Sequence, residues 1–473
     1  MDYQLPRQDS TRACQIPGDP AHLLVATTHQ LYAYISNQRY WVTLVLPYRF
    51  DKRHHILSVN IREVSVPLAR RNVSAPPAPS GGVPAVHVPD DEVLRRRLII
   101  ALTVMELSDD PHHPEPFFYV HILGARSEDT CLESLLFKCV DDVQVLPLAF
   151  CPTYAILDDI LGPGGRLTCV VSGAHGETSV FHMNDTYTMV PVQPEGPTQP
   201  RYLRPLLDYM SSQQAGFAQW DDEYQRVYAA GGMDENLYVA HATKTHPDDG
   251  IDSSGADVPA WQWRTYRIPL LNLVTALSFY PEPLPIAFPA VTDDPPSPQR
   301  PLHLVAACAN EAAVLFQDVN GATPITTSST TQLPNPDSTA IPPTAAVVPH
   351  PTVLPESHLH DSVTATLVAD VDYDGIPEII TATYGQMLLI HERNRDGRWQ
   401  VKWKKRLPYP IYGIFFWDIN LDGADELVVL TMRGIHVLQP NFVYLREVIV
   451  ARLKQLGRIA NQNGEGSNDV ENA

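Results

Sequence analysis

A nine-residue acidic pattern that occurs twice constrains this chain more than any other stretch. Residues 370–378 read D-V-D-Y-D-G-I-P-E and residues 418–426 read D-I-N-L-D-G-A-D-E, the same offsets 48 residues apart. Each copy runs into an apolar, β-prone segment, IITATY or LVVLTM. A period of that size marks one supersecondary unit used repeatedly.

The residue types suit a hard cation. Ca²⁺ takes ~6 to 8 oxygen ligands, and a short loop can turn alternate oxygens inward only where a glycine permits the sharp bend. The first candidate set is Asp370, Asp372, Asp374, Ile376 and Glu378; the second is Asp418, Asn420, Asp422, Ala424 and Glu426. Ile376 and Ala424 can offer only main-chain carbonyls. An EF-hand would carry its acid at the twelfth position and continue as a helix, whereas here the acid is ninth and a strand follows. The expectation is therefore a strand-to-strand loop holding a structural Ca²⁺ or Mg²⁺, with the second copy binding more weakly because Asn420 is neutral. The rival reading is a plain Asp-Gly turn with solvated aspartates.

An apolar strand ending in small residues, a short turn and a second apolar strand recur seven times. The pairs are 23–26 with 31–34, 98–101 with 118–121, 169–172 with 179–182, 227–230 with 237–240, 304–307 with 313–316, 379–382 with 387–390, and 427–430 with 435–438. The last two follow the acidic loops. A four-stranded propeller blade takes ~40 to 50 residues, which the last step matches; the longer steps are a blade plus an insertion. The expected fold is all-β, a seven-bladed β-propeller over residues 1–440. The small residues Ala26, Ala101, Ser172, Ala230, Ala307 and Ala382 are taken to belong to inner strands at the crowded axis. Ring closure requires a segment before His22 to complete the seventh blade.

The excess length falls in Pro-rich stretches, with 44 prolines in the chain. Residues 74–91 and 320–360 are expected to be disordered insertions, because they hold too few apolar residues to pack. Residues 441–459 are expected to form an amphipathic helix with Leu445, Val448, Ile449, Leu453 and Leu456 on one face, packed on the propeller's flank; a docking helix is the alternative. Residues 460–473 read as a disordered tail.

Fifty-four acids against 34 bases give a net charge of −20, which argues against nucleic acid as a partner. The basic runs 95–97 and 402–406 read as solvated strand ends. Six cysteines without C-x-x-C spacing disfavour a zinc module or a disulfide framework. The amino terminus has neither a basic nor an apolar leader region, and no apolar run approaches the ~18 residues that span a bilayer. The simplest expectation is an intracellular, soluble protein without direct membrane insertion.

No catalytic motif stands out. G-x-S-x-G, H-E-x-x-H and the P-loop are missing, GPGG at 162–165 lacks a lysine, and the His54/His55 and His112/His113 pairs read as loop histidines without metal-ligand partners. The chain is expected not to be an enzyme.

Residues 362–456, above all ADVDYDGIPEIITATYGQMLL, WDINLDGADELVVLTMRGIHVLQ and REVIVARL, closely resemble the kaptin family, actin-associated propeller proteins of the KICSTOR complex. The acidic loops resemble the FG-GAP repeats of integrin α propellers, although Glu378 and Glu426 stand where those repeats commonly carry Asp. The resemblance implies a non-enzymatic scaffold subunit that pairs with a second FG-GAP propeller inside a KICSTOR-like complex. Such a complex tethers GATOR, a GTPase-activating assembly for Rag GTPases, at the lysosomal membrane and restrains amino-acid-dependent TOR signalling. The implied location is cytoplasmic and peripheral at the lysosome. A second reading is binding to actin filaments through residues 402–406 and the helix, at actin-rich cell edges. A secreted Ca²⁺-dependent adhesion propeller and a propeller enzyme using its axial channel are further alternatives.

Overall fold

The computed structural model describes the strand segments of every blade and, without a break, residues 351–465; residues 68–93, 125–142, 193–212, 245–260, 283–300, 322–350 and 466–473, with shorter stretches between strands, are not described. The expected insertion at 74–91, most of the one at 320–360 and the GPGG turn lie outside the described residues. Among the described residues the strands form seven four-stranded antiparallel sheets. Sheets one to six each use four consecutive strands. The seventh takes Ile411–Trp417, Glu426–Thr431 and Gly434–Leu438 and adds Asp2–Tyr3 from the amino terminus as its outer strand. Asp2 lies opposite His436 and Tyr3 opposite Ile435, so the ring is closed as the sequence required.

The first strand of each sheet lies innermost, touching the first strands of both neighbouring blades all the way round the ring. The apolar segments recognised in the sequence are the second and third strands. The small residues from Ala26 to Ala382 therefore sit one strand out from the axis, which corrects the expectation that they line it. Second strands read as unbroken apolar runs because both of their faces are covered. In His22–Thr27, Leu24 and Ala26 pack with blade two, while Leu23 and Val25 pack with blade seven. In Glu378–Thr383, Ile379 faces blade five, and Ile380 and Ala382 face blade seven. Side chains alternate across a strand, so each blade fills two interfaces at once. Burying each Leu or Ile contributes about 1.5–3 kcal/mol.

All seven innermost strands carry a register shift where they face the end of the second strand. Among the described side chains, two of these bulges carry a threonine whose hydroxyl bridges blades. Thr364 Oγ1 is shared between Ala382 O at 3.2 Å in its own blade and Ile411 O at 2.5 Å in the next. Thr275 Oγ1 is shared in the same way between Ala307 O and Val363 O. A bulge re-aims a side chain out of the ladder, and here it reaches the neighbouring backbone.

Two boundaries differ from expectation. The end of the 320–360 tract belongs to the fold: Pro351–Val353 is the outer strand of blade five, Leu354 is fully buried, and Ser357 Oγ accepts the Ala313 N–H at 2.9 Å. Main-chain pairing needs little apolar content, so composition could not reveal this strand. The helix α1 spans Phe442–Glu465, past the expected end at 459 and into the tail expected to be disordered; Gly457 does not stop it, and no proline lies within it.

Candidate functional site: two acidic loops and the elements that hold them

The two acidic loops join the innermost to the second strand in blades six and seven and share one internal geometry. Asp370 Oδ2 accepts the Gly375 N–H at 2.8 Å, and Asp418 Oδ2 accepts the Gly423 N–H at 2.7 Å. Asp374 accepts from Ile376 at 2.7 Å and Asp422 from Ala424 at 3.1 Å. The ninth-position acids reach back to the start of each loop, Glu378 to the Val371 N–H and Glu426 to the Ile419 N–H, both at 3.0 Å. The bend puts Tyr373 and Leu421 at φ near +60° and Gly375 and Gly423 at φ +90°. Left-handed backbone of this kind is what a glycine tolerates and other residues resist.

Three carboxylates converge in each loop, but not the same three. Oxygens of Asp370, Asp372 and Asp374 lie within 4.8 Å of one another in the first, and those of Asp418, Asp422 and Glu426 in the second. Glu378 stands apart from the first cluster because a lysine holds it. Lys402, on the outer strand Trp399–Arg406, places its Nζ 2.9 Å from Glu378 and 3.0 Å from Glu392, and also pairs with Asp372. Ile390 lies opposite Trp403 and His391 opposite Val401, so Lys402 is the extra residue of a bulge. Burial opposes charge on Lys402, yet the hydrogen bonds to Asp372 and Glu378 outweigh it and hold the ammonium well above the usual lysine range. Burial lifts Glu378 to about 7 against the pull of that ammonium. The basic run 402–406 is exposed, as expected of a solvated strand end, and the ammonium of its first member serves as counterion to Asp372, Glu378 and Glu392.

The second loop has a different balance. Among the described residues no lysine or arginine side chain pairs with Asp418, Asp422 or Glu426; the Asn420 amide donates to Glu426. Burial, with Asp422 and Asp418 adding to it, raises Glu426 to about 7. Asn420 Oδ1, like Asp370 Oδ1 in the first loop, is buried without a hydrogen-bond partner. The loops are also tied to each other and to the helix. Tyr373 Oη accepts the Asp425 N–H and donates to Asp425 O at 3.4 Å. Arg452 of α1 donates to Tyr373 O at 3.3 Å and lies 4.0 Å from Asp370 Oδ2.

His54 and His55 lie beside the turn at 52–53 and His112 lies in a turn, as expected of histidines in or beside loops. His54 and His55 begin the strand His54–Pro67; the His29 and His55 rings lie 4.8 Å apart, and His54 Nε2 is 3.8 Å from Glu106. His303 shares Glu282 with Arg393: its Nε2 donates to Glu282 Oε2 at 2.7 Å, its Nδ1 accepts the Asp318 N–H at 2.8 Å, and Arg393 donates to Glu282 Oε1 at 3.0 Å. Both ring nitrogens are engaged, so this group clamps blade five to blade six. Pairing between Glu282 and Arg393, 111 positions apart, leaves no trace in spacing.

Residues 345–450 match the model of a family described as KICSTOR complex protein kaptin. KICSTOR complex protein kaptin of Mus musculus is 35% identical over 119 residues, which are 24% of this chain and 28% of that protein. The aligned region thus spans under a third of the curated relative. The kaptin resemblance read from the sequence is borne out over the blades that carry the acidic loops. Among solved structures, Drosophila Semaphorin 1a, extracellular domains 1–2, covers 92% of this chain and 87% of that chain with a TM-score of 0.43 at 10% identity.

Replacing Lys402 with Met leaves Glu378 buried beside Asp372 without its ammonium. Loss of hydrogen bonds to charged groups costs roughly 1.5–3 kcal/mol, so chemical denaturation at neutral pH should show destabilisation of that order. Glu378 would then sit even further above its unfolded value. Because the folded variant would take up its proton above about 7, where the parent's Glu378 is still charged, its deficit should be largest in alkaline solution and should narrow as pH falls to about 7. A deficit independent of pH would show that Glu378 does not depend on Lys402.

Proposed function

We propose that this chain is a non-enzymatic scaffold subunit of a KICSTOR-like assembly, contributing a rigid ring whose loops and edges are gripped by other subunits. The observation that supports this reading most is the kaptin family match over residues 345–450. The finer role is the one described for such complexes: association with a second FG-GAP propeller, recruitment of GATOR to the lysosomal membrane, and restraint of TOR signalling. No described helix is long and apolar enough to cross a membrane, so a place at that membrane would come through partners. Tagged full-length chain purified from cells should bring down a second FG-GAP propeller in stoichiometric amount. Its consistent absence, or recovery of actin filaments alone at physiological salt, would contradict the reading.

The acidic loops are proposed as structural cation sites, with a ranking opposite to the one expected from charge count alone. The second loop fits a divalent ion better, since Asp418, Asp422 and Glu426 converge with no ion pair to them among the described residues, Arg39 donating to the Asn420 main-chain carbonyl instead, and Asn420 Oδ1 is left over. The main-chain carbonyl of Ala424 completes its candidate set. In the first loop Asp370, Asp372, Asp374, Ile376 and Glu378 are the corresponding set, and Lys402 already supplies the positive charge. Hard oxygen donors of this kind suit Ca²⁺ or Mg²⁺. Calorimetric titration with Ca²⁺ should show one dominant site that Asp422→Asn removes and Asp374→Asn leaves in place. The reverse pattern would restore the first loop as the stronger site.

A further inference from the structure

Helix α1 is held to the ring along a single line. Among its described side chains, residues 442–454, only Leu445 is buried and only Val448 and Arg452 are half-buried. These three positions, spaced by three and four residues, form one stripe of the helix. The sequence pattern put Ile449 and Leu453 on the packed face as well; both are exposed in the structure, and Arg452 takes the packed position instead. Helices in proteins draw most of their stability from packing, so a helix with so little of it depends on what fastens Arg452.

Arg452 is seated on the first acidic loop. Its guanidinium donates to Tyr373 O at 3.3 Å and stands 4.0 Å from Asp370 Oδ2. It also lies against Gly375, where any Cβ would overlap it. The Asp370 carboxylate beneath it is short of positive charge: its Oδ1 is buried without a partner, and burial, with Asp374 and Asp372 adding to it, lifts the group above the usual aspartate range. The second loop gives the comparison within one chain. A Cβ on Gly423, the matching position, would meet no atom within 4 Å, so the seat that Arg452 takes on the first loop is open on the second.

The unpartnered Oδ1 and the oxygen set of Asp370, Asp372 and Asp374 suit a hard divalent cation, yet the same Asp370 faces the arginine that fastens the helix. We propose that Arg452 and a divalent cation exclude one another at Asp370, so that the charge held in the first loop sets whether α1 is fastened to the ring. Two positive charges beside one carboxylate repel, and Lys402, paired with Asp372, adds a third close by. Linkage makes the exclusion reciprocal: the factor by which docked Arg452 weakens ion binding is the factor by which the ion weakens docking. The inference rests on the reading of the loops as cation sites.

The test follows amide hydrogen exchange over residues 442–454 in the full chain, because an undocked helix loses the packing that protects it. In EDTA, Arg452→Met should speed this exchange at least about fivefold, the lower end of couplings between sites, with the unfolding midpoint unchanged because α1 belongs to no blade. Ca²⁺ should speed exchange in the parent and have no further effect on Arg452→Met. Asp374→Asn, whose carboxylate accepts from Ile376 rather than from Arg452, should abolish the Ca²⁺ response while keeping the protection seen in EDTA. By calorimetry, Arg452→Met should tighten Ca²⁺ at the first loop by the same factor of at least about five. Unchanged exchange in Arg452→Met, or Ca²⁺ taken up by the first loop with exchange in the parent unaltered, would overturn the proposal. Ca²⁺ binding at the second loop alone, in parent and variant alike, would overturn it and leave the cation reading of that loop standing; no Ca²⁺ binding at either loop would remove both.

Discussion

Each sheet in this protein is apolar on both faces, and that single condition organises everything else. A sheet with two apolar faces cannot be stable alone or at the end of a stack, because one face would always meet water. Six of the buried clusters each join residues from two neighbouring blades, so the core is distributed among the interfaces between sheets. A ring is the arrangement that leaves no terminal face. Closing it requires the two ends of the chain to meet, which Asp2–Tyr3 achieves on the last blade.

The same condition explains what could be read from the sequence. Second and third strands, buried from both sides, form continuous apolar runs such as LLVA and IITA, and seven such pairs sufficed to count the blades. The innermost strands escaped notice because each carries a bulge and mixes small and polar residues, as in VTATLVA, so no simple period survives. The acidic loops were legible as a pair because a tight bend needs its glycine and its aspartates at fixed offsets. What closes around them was not. Lys402 reaches Glu378 through a bulge, Tyr373 finds Asp425 across a blade boundary, and Arg452 arrives from the helix; none of these depends on a spacing visible along the chain. The helix itself was correctly sensed from its 3.6-residue pattern. Leu445 and Val448 meet the propeller while Ile449 and Leu453 are exposed; periodicity alone does not say how wide the packed face is.

A division of labour follows. The interior carries stability and leaves little chemistry free: histidines and carboxylates within it are paired or buried, as with His303, Glu282 and Arg393. Among the described residues the ring displays the acidic turns of blades six and seven and the helix fastened beside them by Arg452. The family match covers the same last quarter of the chain, where these features meet.

The central claim is that closure by the first residues makes the seven blades one cooperative unit. Deleting residues 1–9 removes the outer strand of blade seven while sparing Ser10–Ile16, the innermost strand of blade one. Followed by denaturant unfolding, this shortened chain should still unfold in one transition, with its midpoint clearly lowered. An unchanged midpoint, or a separate early transition confined to the last blades, would contradict the account.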